Sequence, residues 1–276
     1  MPEPAEAEMP ATLRSGAAAV YMPACINRIF APPRGNVSGN GAGRLPSLPA
    51  ALVAVSERAG MPVWIPDDVA GSCCGTPQSS KGFASAHARK ANETVERLWR
   101  WSDGGKLPVV IDATSCTNGL IEAPEVLSDA NTERHGKLEI IDSIEWARRL
   151  LAAGADGNGA GSGLEVTEPL GSLTVHPTCA SRKLGLDGAL AEVARAIAAE
   201  VKVPPSASCC GFAGDRGFLH PELTASALQF EAAEVAATPT DAYACANRTC
   251  EIGLRRETGH DYASIIHLLE ERTRTV

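Results

Sequence analysis

The chain has 276 residues, of which 44% are hydrophobic and 21% charged, a composition typical of a globular protein with a sizeable core. Its net charge of −8 argues against nucleic acid as a partner, because binding a phosphate backbone requires clustered positive charge. No apolar run approaches the roughly 20 residues that span a bilayer, and the first residues lack the basic and apolar regions of a secretory signal. These features predict a cytoplasmic protein, and a peripheral position at the inner face of a membrane stays open.

Short β-like runs alternate with helical patterns along the chain. The predicted strands cover residues 18–22, 63–65, 109–112, 173–176 and 241–244. Helices are predicted at about 83–101 and 221–237, and another begins at Asp187 with an apolar face that extends to Val201. Residues 261–272 are predicted to form an amphipathic closing helix. Strands that alternate with helices indicate an α/β protein with parallel sheets.

The nine cysteines follow a repeated pattern. Disulfides are not expected in a reducing cytosol, so this number of cysteines needs another explanation. Three motifs recur in the same order: Pro-x-Cys-x-x-Arg at 23–28 and 177–182, Cys-Cys-Gly at 73–75 and 209–211, and Cys-x-x-Gly-Leu at 116–120 and 250–254. The chain therefore consists of two copies of one cysteine-bearing α/β unit.

Two units and a linker are predicted. The first unit covers residues 17–152 and the second covers 173–272, and each is expected to contain a small parallel sheet flanked by helices. The Gly-rich composition of 153–172 indicates a flexible linker between them. A Gly/Pro/Ser-rich stretch at 31–47 indicates a surface loop inserted into the first unit.

Each unit is predicted to gather four sulfur atoms at one edge of its sheet. Three of the cysteines follow predicted strands directly, and each Cys-Cys pair lies in the loop between a strand and a helix. Ligand sites of parallel sheets lie at the carboxyl ends of the strands, where these segments meet. The predicted ligand sets are Cys25, Cys73, Cys74 and Cys116 in the first unit, and Cys179, Cys209, Cys210 and Cys250 in the second.

Four thiolates in one place indicate a metal or cluster site, with iron–sulfur and zinc as the main candidates and inert buried thiols as the alternative. Adjacent cysteines point to opposite sides of an extended chain, so both reach one zinc ion only if the chain bends. A cluster offers several iron atoms instead. The glycine after each pair would allow the backbone to approach such a cofactor closely. An iron–sulfur cluster in each unit is the preferred interpretation.

Several neighbouring residues have simpler interpretations. His176 occupies the position that Met22 holds in the first unit, and this exchange predicts a structural role for the histidine. Cys245 is interpreted as a buried thiol, with an additional ligand as the alternative. Arg28 and Arg182 are expected either to balance the charge of a cluster or to pair with an acidic residue.

The doubled pattern Cys…Cys-Cys-Gly…Cys resembles the cysteine-rich CCG domains of heterodisulfide reductases, glycolate oxidase iron–sulfur proteins and lactate-utilisation proteins. The similarity is closest to the C-terminal region of FAD-linked D-lactate dehydrogenases. It extends from about Tyr21 to Arg272 and is carried by residues 21–30, 109–120, 173–185, 209–218 and 247–254. One departure is that each repeat of the heterodisulfide reductase pattern ends in Cys-x-x-Cys, whereas each repeat here has a single cysteine at that point.

The resemblance implies an oxidoreductase component that transfers electrons. A 4Fe-4S type cluster in each unit would take electrons from the flavin of a 2-hydroxy-acid dehydrogenase and pass them to a quinone or cytochrome acceptor chain. FAD is expected only on a flavoprotein partner or an upstream domain, since no G-x-G-x-x-G fingerprint occurs here, and the chain alone is not expected to be active. The alternatives are thiol/disulfide catalysis at a cluster and a zinc-stabilised scaffold without enzymatic activity.

Overall fold

Buried aliphatic runs form the strands of the computed structural model, which describes residues 2–5, 8–33, 45–153 and 164–274. The chain folds into two α/β units, each with a four-stranded parallel sheet flanked by helices, as the sequence predicts. Part of the predicted inserted loop (34–44) and of the predicted linker (154–163) lies outside the described residues.

Within its described residues, the first unit has four strands, eight helices if one 3-10 turn is counted, and a sheet in the order β2-β1-β3-β4. Its elements are β1 (Ala19–Met22), α1 (Cys25–Ile29), α2 (Leu48–Arg58), β2 (Val63–Trp64), α3 (Thr76–Ser80), α4 (Ala84–Trp101), β3 (Val109–Ile111), α5 (Thr114–Ile121), the 3-10 turn (Ala123–Val126), α6 (Asp129–His135), β4 (Ile140–Asp142) and α7 (Ser143–Ala152).

The second unit has the same order of strands, without counterparts of the 3-10 turn and α6 in its described residues, and its sheet has the corresponding order β6-β5-β7-β8. The elements are β5 (Leu170–Val175), α8 (Cys179–Lys183), α9 (Asp187–Ile197), β6 (Ala198–Lys202), α10 (Arg216–Leu219), α11 (Pro221–Ala237), β7 (Ala242–Cys245), α12 (Arg248–Thr258), β8 (Tyr262–Ser264) and α13 (Ile265–Arg272).

Two predicted helices are wrong at one end. The helix that begins at Asp187 stops at Ile197, and Val201 lies in β6, where it pairs with β5. Residues 198–202 are Ala, Ala, Glu, Val and Lys, mostly helix-forming types, so only the sheet contact makes this segment a strand. The closing helix likewise begins at Ile265, because the residues before it form β8.

The two units share one hydrophobic core, to which both sheets contribute. Helix α13 of the second unit packs against α2 of the first. Arg58 on α2 donates to the backbone oxygen of Glu270 at 3.1 Å and to its carboxylate at 3.1 Å. Since the Glu270 side chain is only 6% exposed, Arg58 neutralises a buried charge at the junction of the units. None of the helices in the described ranges is long and apolar enough to cross a membrane.

We expect Arg58→Ala to lower the free energy of unfolding by about 1–3 kcal/mol, because Glu270 then keeps, among the described residues, only Arg274 as a charged partner. Hydrogen bonds from Arg274 and Arg58 outweigh the burial of Glu270 and hold its pKa below the ordinary value of 4.5. This stabilisation is present above pH 4.5 and is lost as the pH falls through the lower folded value. The difference between variant and parent in urea unfolding should therefore shrink in acid.

Arg100→Ala is the matched control, because Arg100 pairs with Asp68 where both side chains are more than half exposed. It should change stability by no more than about 0.5 kcal/mol. Equal losses in the two variants would contradict the role assigned to Arg58.

Candidate metal centres

The first cysteine of each unit begins a short helix directly after a strand. Cys25 is the first residue of α1, and Cys179 is the first residue of α8. In the first unit the buried carboxylate of Asp112 accepts a hydrogen bond from the amide nitrogen of Ala24 at 2.6 Å, which fixes this turn against the end of β3. In the second unit Thr178 caps α8 by accepting from the amide of Ser181 at 3.0 Å. Asp112 was not predicted as a site residue, and its place after a buried strand is the only sequence signal for it.

The arginine of each Pro-x-Cys-x-x-Arg motif holds the Cys-Cys loop. Arg28 donates to the backbone oxygen of Ser72 at 2.8 Å, and Arg182 donates to that of Ala207 at 2.7 Å. Neither arginine is mainly a partner of an acidic residue; Arg182 approaches Asp187 only at 4.0 Å. The repeated arginine therefore joins the helix of the first cysteine to the loop of the next two.

Each Cys-Cys-Gly loop turns at its glycine. Gly75 has φ +85° and Gly211 has φ +68°, which are left-handed conformations that favour glycine. A Cβ atom at Gly211 would lie 2.5 Å from the backbone oxygen of Leu223 on α11, and one at Gly75 would lie 2.9 Å from the ring of His87 on α4. The glycines are thus required by the turn and by the next helix, and close approach to a cofactor stays a prediction.

The last cysteine of each set lies in the first turn of a helix. Cys116 is the third residue of α5 and Cys250 is the third residue of α12. Gly253 follows Cys250 by three residues, and a Cβ atom there would lie 3.1 Å from Thr224 and 3.2 Å from Phe212. The corresponding Gly119 is packed against Thr76. Both helices therefore approach the Cys-Cys-Gly segment closely.

The structure brings together the four cysteines of each predicted set. In each unit the second cysteine of the pair contacts the last cysteine, with Sγ–Sγ distances of 3.1 Å for Cys74–Cys116 and 2.9 Å for Cys210–Cys250, and all four are buried. The other two cysteines lie nearer the surface and are hydrogen-bonded to each other: Cys25 with Cys73, and Cys179 with Cys209.

One thiol in each set is predisposed to ionise. The hydrogen bond from Cys25, followed by that from Cys74, lowers the pKa of Cys73 to about 2. The hydrogen bond from Cys179 lowers the pKa of Cys209 to about 5, and the amide of Gly211 donates to the same sulfur at 3.5 Å. The partner thiols have raised pKa values for the same reason, because each holds the shared proton.

Cys245 adds a fifth sulfur to the second unit. It is fully buried at the end of β7, as the sequence predicts, and its thiol is hydrogen-bonded to that of Cys250. Burial, as the largest cause, raises the pKa of this thiol. The contact places Cys245 next to one of the predicted ligands, and both of its interpretations, buried thiol and additional ligand, stay open.

The donor sets fit an iron–sulfur cluster in their chemistry. All side chains that converge are thiols, and soft sulfur ligands select iron–sulfur clusters and zinc over hard cations. Among the described residues no three His, Cys, Asp or Glu side chains are arranged around a common point as ligands of a metal ion. The inner sulfurs instead lie closer together than the roughly 3.8 Å edge of a tetrahedral zinc site with 2.3 Å bonds. Ligation by the eight cysteines therefore stays a prediction.

The two sets border the same junction between the units. Thr114, two residues before Cys116, shares a buried hydrogen bond of 3.0 Å with Thr178, the residue before Cys179. The amide of Thr114 also donates to the backbone oxygen of Ala246 at 3.4 Å. The helices that carry one cysteine from each unit are thus joined at their first turns.

Comparison with known proteins supports the interpretation of the repeat. Residues 173–255, which include most of the second unit, match the CCG cysteine-rich domain family. Lactate utilization protein A of Oceanobacillus iheyensis is 23% identical over 224 residues, which cover 79% of this chain and 86% of that protein. The first unit has the same order of strands in its sheet and a matching set of four cysteines. Residues 173–255 are therefore similar to a CCG cysteine-rich domain, and the chain is similar to lactate utilization protein A.

Proposed function

We propose that this chain is the iron–sulfur electron-transfer module of a flavin-linked oxidoreductase that acts on a 2-hydroxy acid of the D-lactate or glycolate type. It takes electrons from a flavin on a partner protein or domain and passes them to a quinone or cytochrome acceptor. The similarity to lactate utilization protein A supports this class of substrate.

One observation carries the proposal: two all-thiol sets adjoin a single junction, and the helices bearing Cys116 and Cys179 are joined there by the Thr114–Thr178 hydrogen bond. A chain that uses cysteines only for structure needs one site for each unit but no contact between the sites. Electron relay requires redox centres to lie close to each other. The adjoining sets meet that requirement.

The residues would hold one cluster in each unit through Cys25, Cys73, Cys74 and Cys116, and through Cys179, Cys209, Cys210 and Cys250. When bound, a cluster supplies one-electron redox chemistry. The thiols of Cys73 and Cys209 have lowered pKa values and are the first expected to ionise for ligation. Arg28 and Arg182 hold the loops that present them.

A second candidate is thiol/disulfide catalysis at a cluster. It is favoured by the second unit alone, where Cys179 and Cys209 are exposed and Cys245 adds a fifth sulfur beside Cys250. The corresponding outer thiols of the first unit, Cys25 and Cys73, are only half-exposed. An exposed cysteine pair would admit a disulfide substrate.

We expect anaerobically purified protein to be brown and to contain iron and acid-labile sulfide, at about four irons for each occupied unit. Because the sets belong to different units, Cys74→Ser should remove or alter one cluster in the electron paramagnetic resonance spectrum and leave the other intact. Cys210→Ser should do the reverse. Colourless protein with stoichiometric zinc would establish the scaffold instead, and loss of both signals in either variant would show that the sets are not separate.

The iron-loaded chain should not oxidise D-lactate by itself, since no residues for flavin binding are assigned in it. When a flavin-dependent D-lactate dehydrogenase and D-lactate are added, the visible absorption of the clusters should bleach under anaerobic conditions. The Cys74→Ser/Cys210→Ser protein with the same flavoenzyme is the control. Lactate oxidation by flavin-free chain alone would overturn the proposal.

Cys245→Ser separates the two candidate functions. If four thiols suffice in the second unit, we expect its iron content and resonance signal to survive and stability to change by about 1 kcal/mol. Cys250→Ser, on the neighbouring sulfur, should abolish the signal. Equal loss in the two variants, together with reduction of an added disulfide by the parent protein, would favour thiol/disulfide catalysis.

A further inference from the structure

Four positions beside the second thiol set carry ionisable side chains, whereas the matching positions of the first unit carry Met, Val or Ile. Two of the positions are matched by their distance from the shared motifs: the residue before the Pro-x-Cys motif and the residue 20 positions after the glycine of Cys-Cys-Gly. The other two are matched by their register in the third and fourth strands of each unit. The pairs are His176 and Met22, Glu231 and Val95, Cys245 and Ile111, and Tyr262 and Ile140.

Two of these residues form a buried couple. Nδ1 of His176 lies 2.7 Å from Oε1 of Glu231, and the side chains are 0% and 1% exposed. The remaining polar atoms, Nε2 of His176 and Oε2 of Glu231, have no hydrogen-bond partner among the described residues. A buried polar pair that leaves half of its hydrogen-bonding atoms without partners contributes less to stability than an apolar pair of similar size. Met22 and Val95 show that the fold accepts such a pair, so the fold does not require the couple.

The couple lies within electrostatic reach of the second thiol set. A positive charge on His176 would lower the pKa of Cys209, in the loop after β6. From β7 and β8, the titratable groups of this region are Tyr243, Cys245 and Tyr262, and Glu231 acts on Tyr262.

The charged side chains of α12, which packs against α11, are engaged elsewhere. Arg248 pairs with Glu251 at 2.8 Å, and Arg256 donates to the backbone oxygen of Gly217 at 2.8 Å. Tyr262 also lines an open cavity of about 430 Å³, and its own side chain is only 1% exposed.

We propose that His176 and Glu231 form a proton-binding site coupled to the redox centre of the second unit. In the oxidised protein the Nδ1–H of neutral His176 donates to the Glu231 carboxylate, and Nε2 carries a free lone pair. If a cluster held by the second thiol set were reduced by one electron from the flavoprotein, Nε2 would bind one proton. The positive charge of the imidazolium then offsets the added negative charge, and oxidation releases the electron and the proton together.

This inference rests on the proposed function, and it separates the roles of the two units. In the first unit, Met22 and Val95 occupy the positions of this couple and cannot bind the proton. The second unit moves a proton with each electron, which suits an acceptor that is protonated on reduction, such as a quinone.

The test is a potentiometric titration of the iron-loaded protein between pH 6 and 8.5, followed by electron paramagnetic resonance. The signal that Cys210→Ser abolishes belongs to the second cluster. Its midpoint potential should fall by about 59 mV for each pH unit, the value for one proton with one electron. In His176→Met/Glu231→Val, which copies the first unit, the pH dependence should disappear while the signal persists.

His220→Met is the matched control, because His220 forms an exposed pair with Glu222 in the same unit; its pH dependence should equal that of the parent. If the double variant does not fold, Glu231→Gln keeps a hydrogen-bond partner for the imidazole but removes the charge, and it should weaken the slope over the same pH range. An unchanged slope in either variant, or a second cluster with no slope in the parent, would overturn the inference alone. A second unit that binds no cluster would overturn the proposed function as well.

Discussion

All strands of each sheet are parallel, so their carboxyl ends meet at one edge and the segments that leave them are forced together. The three cysteine-bearing segments of a unit leave from three adjacent strands, in the order β2-β1-β3 and β6-β5-β7. The sulfur contacts follow from this topology before any cofactor is considered. Arg28 and Arg182 then fix the distance between two of the three segments by binding the backbone of the Cys-Cys loop.

The doubled motif allowed both the α/β units and the two sets of four cysteines to be predicted, because motif spacing is a property of the chain itself. The features that could not be predicted from the sequence depend on tertiary contacts. Residues 198–202 have helix-forming composition and become a strand only by pairing with β5. The roles of Gly211, whose Cβ would collide with α11, and of Arg182, which binds Ala207, are likewise set by neighbours distant in sequence. Ligation by the cysteines and the nature of the cluster stay predictions.

Burial limits how many thiols of each set can ionise. Hydrogen bonding between thiols lets one sulfur in each set ionise, Cys73 or Cys209, while the buried inner thiols of Cys74 and Cys210 keep raised pKa values. Four thiolates at such a site would repel each other in a medium of low dielectric constant. Full ionisation therefore requires added positive charge at the site. Iron bound by the thiolates would supply that charge, and binding would release protons.

The two repeats share a scaffold but differ in what surrounds it. At the four matched positions the first unit has Met22, Val95, Ile111 and Ile140, and Cys25 and Cys73 are half-buried. In the second, the same positions hold His176, Glu231, Tyr262 and Cys245, while Cys179 and Cys209 reach the surface. Burying an incompletely paired couple lowers stability, and the first unit shows that an apolar alternative fits. The polar residues of the second unit therefore point to chemistry at that site. Under the proposed function, its exposed thiols would make it the side of the molecule on which an external partner exchanges electrons.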